Sequence, residues 1–157
     1  MKIYRISNKV HANLDGLGGI YGSGRWNKKG DRVVYASESI SLAAWEKLIH
    51  ITDYQNLPTD LIVITINIPD NIEIKEVPDR VLVPGWNIPT QFRPHKKETV
   101  EFGTEFLRQN VHLVLKVPSV IVKGEYNYLL NPNHPDIKKC KIEKIEPFEF
   151  DKRIYKK

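Results

Sequence analysis

Two features of the sequence hold residue types suited to chemistry on a charged ligand. The first is Gly22-Ser23-Gly24-Arg25-Trp26-Asn27. Its glycines let the backbone approach a ligand closely, and its guanidinium can grip phosphate oxygens in bidentate fashion, so the segment reads as an anion site. The second is Glu46, whose nearest helical neighbours are Leu42, Ala43, Ile49 and His50. A carboxylate in apolar surroundings needs a partner, a ligand or a raised pKa, because an isolated charge away from water is very costly. Each feature also has a plainer reading. Arg25 and Trp26 fit a glycine hairpin carrying an exposed cation stacked on an indole, and Glu46 fits a structural ion pair with a strand arginine.

The elements that must position these residues can be read from periodicity. At about 100° per residue, Ile40, Leu42, Ala43, Ala44, Trp45, Leu48 and Ile49 surround the axis of a helix over residues 40–51, which predicts burial on most sides. Ser37 or Ser39 can cap it. No strong cation stands three or four residues from Glu46, where a solvated surface pair would place one. Upstream, residues 2–7 alternate as a strand with Ile3 and Arg5 on one face and Tyr4 and Ile6 on the other. Further strands are expected at 32–36, 61–68, 72–77, 113–117, 120–123, 126–130 and 145–150, with a second helix at 98–110 despite Gly103. Residues 81–97, with three prolines, read as a long loop whose length hints at a ligand-covering role. Many strands and two principal helices predict an α+β fold.

Bulk properties narrow the classes. A chain of 157 residues suits one domain spanning residues 1–157, with 151–157 as a basic tail. The net charge of +5 suits an anionic ligand, nucleic acid or an acidic partner, but Lys138, Lys139, Lys152, Arg153, Lys156 and Lys157 crowd the end, where a solvated tail serves equally well. A non-enzymatic nucleic-acid module is therefore an alternative, disfavoured because aromatic residues are not interleaved with the basic ones. The single Cys140 excludes an internal disulfide framework. No apolar run is long enough to span a membrane and no signal peptide is read at the start, so a cytoplasmic protein is expected. A dinucleotide fingerprint is rejected, since Tyr21 stands where Gly16-Leu17-Gly18-Gly19-Ile20 would need its last glycine. The histidines at 11, 50, 95, 112 and 134 lack paired ligand spacing, so no metal is expected. His134 falls in a stiff turn, Asn131-Pro132-Asn133-His134-Pro135, and His95 with Arg93, Lys96 and Lys97 in a solvated basic loop.

Taken in order, Tyr4-Arg5, Gly24-Arg25-Trp26-Asn27 with Gly30, Tyr35-Ala36-Ser37, Ala43 to Glu46, Val117-Pro118-Ser119-Val120-Ile121-Val122 and Asn127-Tyr128-Leu129-Leu130-Asn131-Pro132 with His134 resemble the RES domain. The one departure noticed is Phe106, where that family usually has tryptophan. The resemblance implies an ADP-ribosyltransferase-like fold and a bacterial toxin that depletes NAD by phosphorolysis or hydrolysis, neutralised by a helix-turn-helix antitoxin. It leaves open the transfer of ADP-ribose to a protein instead. It implies Arg25 and Glu46 as the catalytic pair, Ser119 as the namesake serine, and Arg5, Tyr4, Tyr35 and Trp26 as further NAD-binding residues. NAD is then a substrate and not a cofactor, with inorganic phosphate as a possible co-substrate.

Overall fold

The segment Leu61–Asn67 reads LIVITIN, apolar on both faces, and such a strand can only sit inside a sheet covered on each side. The computed structural model, which describes residues 1–53, 57–88 and 97–154, places it there. The strands are β1 (Lys2–Asn8), β2 (Val34–Ser37), β3 (Leu61–Asn67), β4 (Ile74–Glu76), β5 (Val114–Pro118), β6 (Tyr126–Leu130) and β7 (Lys141–Pro147). They form one seven-stranded sheet in the order β4-β5-β6-β2-β1-β3-β7, antiparallel except for the parallel pair β4 and β5. With two helices, α1 (Ile40–Leu48) and α2 (Lys97–Gln109), this is an α+β fold.

One face of the sheet packs Ile3, Val34, Ile62, Ile64, Ile66 and Leu130 into a continuous cluster. The other carries both helices: α1 lies over Ile6, Leu61 and Val63, while Phe106 and Leu107 of α2 lie over Leu115, Val117 and Leu129. Burying each such side chain stabilises the fold by about 1.5–3 kcal/mol. Phe106 is buried at this interface, so phenylalanine fills the aromatic position by packing alone.

The sheet is weakest in its middle. Strand β1 pairs along its whole length with β3, and β2 along its whole length with β6, yet β1 and β2 meet at the single rung Tyr4↔Ser37. Two halves, β4-β5-β6-β2 and β1-β3-β7, therefore part from Arg5 onward. The same register carries Tyr4, Ser37, Asn127 and Val117 across four strands in one row, facing the helices.

Several expectations are corrected. Helix α1 ends at Leu48 and buries one side, Leu42, Ala43 and Leu48, whereas Ile40, Trp45 and Ile49 are 42%, 52% and 51% exposed. Apolar residues all round the axis therefore do not mean burial all round. Ser39 and not Ser37 caps it, accepting from the Leu42 N–H at 3.0 Å. Residues 120–123 are a turn, because the Ser119 hydroxyl accepts from the main chain of Ile121 and Val122 and coils the chain before it can extend. The last strand lies earlier than expected, at Lys141–Pro147. The expected basic loop at Arg93, His95 and Lys96 lies outside the described residues, as does the end of the tail.

Gly103 sits inside α2 for a steric reason: a β-carbon there would lie 1.9 Å from the Trp26 carbonyl oxygen. Gly103→Ala is expected to destabilise the protein by about 2 kcal/mol or more, through overpacking against a fixed backbone. Urea denaturation would show it as a lowered midpoint at unchanged slope.

Candidate active site

Glu46 projects from the middle of α1 toward the row of residues that crosses the sheet. Its Oε1 accepts from the Asn127 amide at 2.5 Å and from the Ser119 hydroxyl at 3.2 Å. Asn127 is itself held by Ser37, whose hydroxyl donates to Oδ1 at 2.6 Å. Glu46 makes no ion pair among the described residues, so the structural pairing with a strand arginine does not occur. Its carboxylate is half-buried and held by neutral donors. Oε2 receives no hydrogen bond among the described residues, leaving one oxygen committed and the other open.

The glycine loop is ordered around Asn27, which is 1% exposed. Its Oδ1 accepts from Gly24 N–H at 3.1 Å and from the Tyr35 hydroxyl at 2.8 Å, and its amide donates to the Gly22 and Lys28 carbonyls. Gly24 is required there: a β-carbon would lie 2.6 Å from Asn27 Oδ1 and 2.8 Å from the Tyr35 oxygen. This knot presents Arg25, half-buried, whose guanidinium donates to the carbonyls of Trp86 and Ile88. Arg25 thus reaches the long loop that follows β4.

Tyr35 is the meeting point. Burial pushes its hydroxyl far above the ordinary value of 10.0, the negative charges of Asp31 and Glu46 add to this, and Arg25 opposes it. Both members of the expected pair therefore act on one phenol. Tyr35 stays protonated at neutral pH and serves as a donor or a ring surface, not as a base.

Arg5 stands where β1 and β2 part. Burial lowers its pKa, and Asp15 opposes that effect. No carboxylate lies within ion-pair distance of it among the described residues, and it faces Gly18 of the glycine-rich segment. Lys47, next to Glu46 but turned toward β1, donates to Asn8 Oδ1 at 3.1 Å and is also lowered chiefly by burial. Of the remaining expected site residues, Ser119 joins Glu46, while Tyr4 and Trp26 make packing contacts. Tyr4 packs under α1 beside Ile6 and Ala43. Trp26, expected to line the NAD site or to stack exposed on a cation, is 3% exposed and packs against Trp86 with ring centroids 6.3 Å apart. It belongs to the core beneath α2. Ser119, 6% exposed, serves Glu46 and its own turn. His134 caps a short helical turn by accepting from Asp136 N–H, the structural role expected of it. Cys140 is buried and its thiol is pushed up to about 11, which makes it a poor nucleophile.

Sequence reasoning missed Asn127, Ser37 and Asn27. A polar residue inside a strand, as at 127 and 37, carries a weak signal, since it asks where the side chain finds its partner. Only the register answers that question.

A split sheet with a helix-borne carboxylate set against a buried tyrosine and an arginine loop defines a recognisable class. The RES domain model matches residues 2–151, and the chain belongs to the RES domain family. Within that family it is of the toxin type: it is 37% identical to Toxin Res of Pseudomonas putida, over 99% of this chain and 100% of that protein. It is 34% identical to the Prs ADP-ribosylating toxin of Sphingobium sp., over 92% of this chain and 88% of that one. Among solved structures, the toxin-antitoxin complex MbcT-MbcA of M. tuberculosis matches 94% of this chain and 83% of the matched chain, with a TM-score of 0.68 and 13% identity. The fold is shared where the sequences have diverged. No helix among the described residues is long and apolar enough to cross a membrane.

The raised pKa of Tyr35 has a stability consequence with a definite sign. The native state holds this proton more tightly than the unfolded chain, so the stabilisation is complete below about pH 10 and declines as pH rises above it. Urea midpoints measured from pH 7 to 11 are expected to fall more steeply in the wild type than in Tyr35→Phe.

Proposed function

We propose that this protein is a toxin that cleaves the nicotinamide-ribosyl bond of NAD, with water or inorganic phosphate as acceptor. The observation that carries the reading is Glu46 itself, a carboxylate fixed through Oε1 by neutral donors, with no hydrogen bond to Oε2 among the described residues. Neutral donors hold a carboxylate in place without cancelling its charge, so it remains able to stabilise a cation. In the reaction, the bond between the anomeric carbon and the nicotinamide nitrogen breaks and its electron pair leaves with nicotinamide, which departs neutral. The ribose becomes oxocarbenium-like, and Glu46 faces that positive charge. Water or phosphate then forms the new bond to the anomeric carbon, water giving up a proton. Arg25 and Arg5 bind the pyrophosphate or position the incoming phosphate, and Tyr35 shapes the nicotinamide pocket. Arg5, desolvated and with no carboxylate at ion-pair distance among the described residues, is suited to an anion. By this reading, a helix-turn-helix antitoxin covers or distorts the site.

A second reading keeps the same site and passes the ADP-ribose to a protein, as the name of the Sphingobium relative says of that toxin. Purified protein incubated with labelled NAD, with and without phosphate, separates the two: label in small products supports cleavage, label on protein supports transfer. Glu46→Gln is expected to lower NAD consumption by about a hundredfold or more while leaving the melting temperature nearly unchanged. Near-normal turnover in that variant would sink the assignment.

A further inference from the structure

The environment of Glu46 is asymmetric. Both of its hydrogen bonds fall on Oε1, from Asn127 and Ser119, and none among the described residues reaches Oε2. An asparagine amide can face either way, and the wrong face would set a carbonyl oxygen against a carboxylate. The carboxylate, which only accepts, requires the NH₂ group on its side, and Ser37, 3% exposed, holds the opposite face of the amide by donating its hydroxyl to Asn127 Oδ1 at 2.6 Å. Ser37 and Asn127 are directly opposed in the pairing of β2 with β6, so backbone register holds the first link of the chain. Ser119 is less free to act alone, because its hydroxyl oxygen is already occupied by two main-chain N–H groups of the turn.

We infer that Asn127, anchored from its other side by Ser37, is the positioning residue that pins Glu46 through Oε1 and so presents Oε2 to the sugar. The inference rests on the reading of Glu46 as the residue facing the ribosyl cation. Asn127 touches no reacting atom. It keeps the carboxylate aimed, and its loss should be felt when charge develops, not when NAD binds.

Three variants and one independent measurement test this. Asn127→Ala is expected to lower kcat for NAD consumption about tenfold or more with KM nearly unchanged, since it removes a hydrogen bond to a charged group. Ser37→Ala, which takes only a hydroxyl from a small side chain, is expected to lower kcat in the same manner but less. Asn127→Asp places a second carboxylate against Glu46, and the two must then share a proton, so the acid limb of the pH-rate profile should move up by more than about one pH unit. The independent arm follows the Glu46 carboxyl by carbon NMR from acid to neutral pH, in wild type and Asn127→Asp, with assignment through Glu46→Gln. A raised midpoint in Asn127→Asp supports the inference. If the midpoint and the acid limb both stay where they are, or if Ser37→Ala and Asn127→Ala keep wild-type kcat, the inference is overturned. Should the wild-type protein consume no NAD, the proposed reaction fails, while the NMR comparison still decides whether Asn127 governs Glu46.

Discussion

The site depends on how one negative charge is kept on a mostly apolar helix face without a matching cation among the described residues. Glu46 solves this with an amide and a hydroxyl, each neutral, each itself anchored. An arginine in their place would hold the carboxylate more strongly and spend its charge on a structural contact. Much of the surrounding architecture follows from that requirement. Strands β2 and β6 must be in register, the chain after β5 must coil so that Ser119 points back, and α1 must cross the sheet where the row from Tyr4 to Val117 passes beneath it.

The arginine loop is built on the same logic of neutral anchoring. Asn27 uses its carbonyl for Gly24 and Tyr35 and its amide for two main-chain oxygens, which closes the loop from inside. Arg25 reaches outward from the loop to the carbonyls of Trp86 and Ile88. Trp26 anchors the loop from below, against Trp86 and under the gap that Gly103 leaves in α2. Asparagine, glycine and tryptophan thus divide the work of presenting one guanidinium.

Much of this was legible before any coordinates. Alternation marked β1, strand-sized runs marked β3 and β6, and apolar periodicity marked α1, because those signals are local. Glu46 stood out for a sound reason, a carboxylate without a helical counterion, and its partner proved to be of a kind that local spacing cannot reveal. Asn127 and Ser37 are separated by 90 residues and meet only through strand pairing. Trp26 misled because a tryptophan beside glycines looks exposed until a helix from residues 97–109 covers it. The turn after Ser119 misled because Val120, Ile121 and Val122 have strong strand propensity, which two hydrogen bonds to one serine override. Trp45 and Ile49 misled in the opposite sense, being apolar with nothing in the described chain to cover them.

The lone rung between β1 and β2 gives Ser37 a double duty. It is the suture between the two halves of the sheet, and it is also the first link of the relay that ends at Glu46. Strain that parts the strands at this rung acts on a residue that also holds Asn127. One serine is thus a stitch in the sheet and a tether of the acid's anchor.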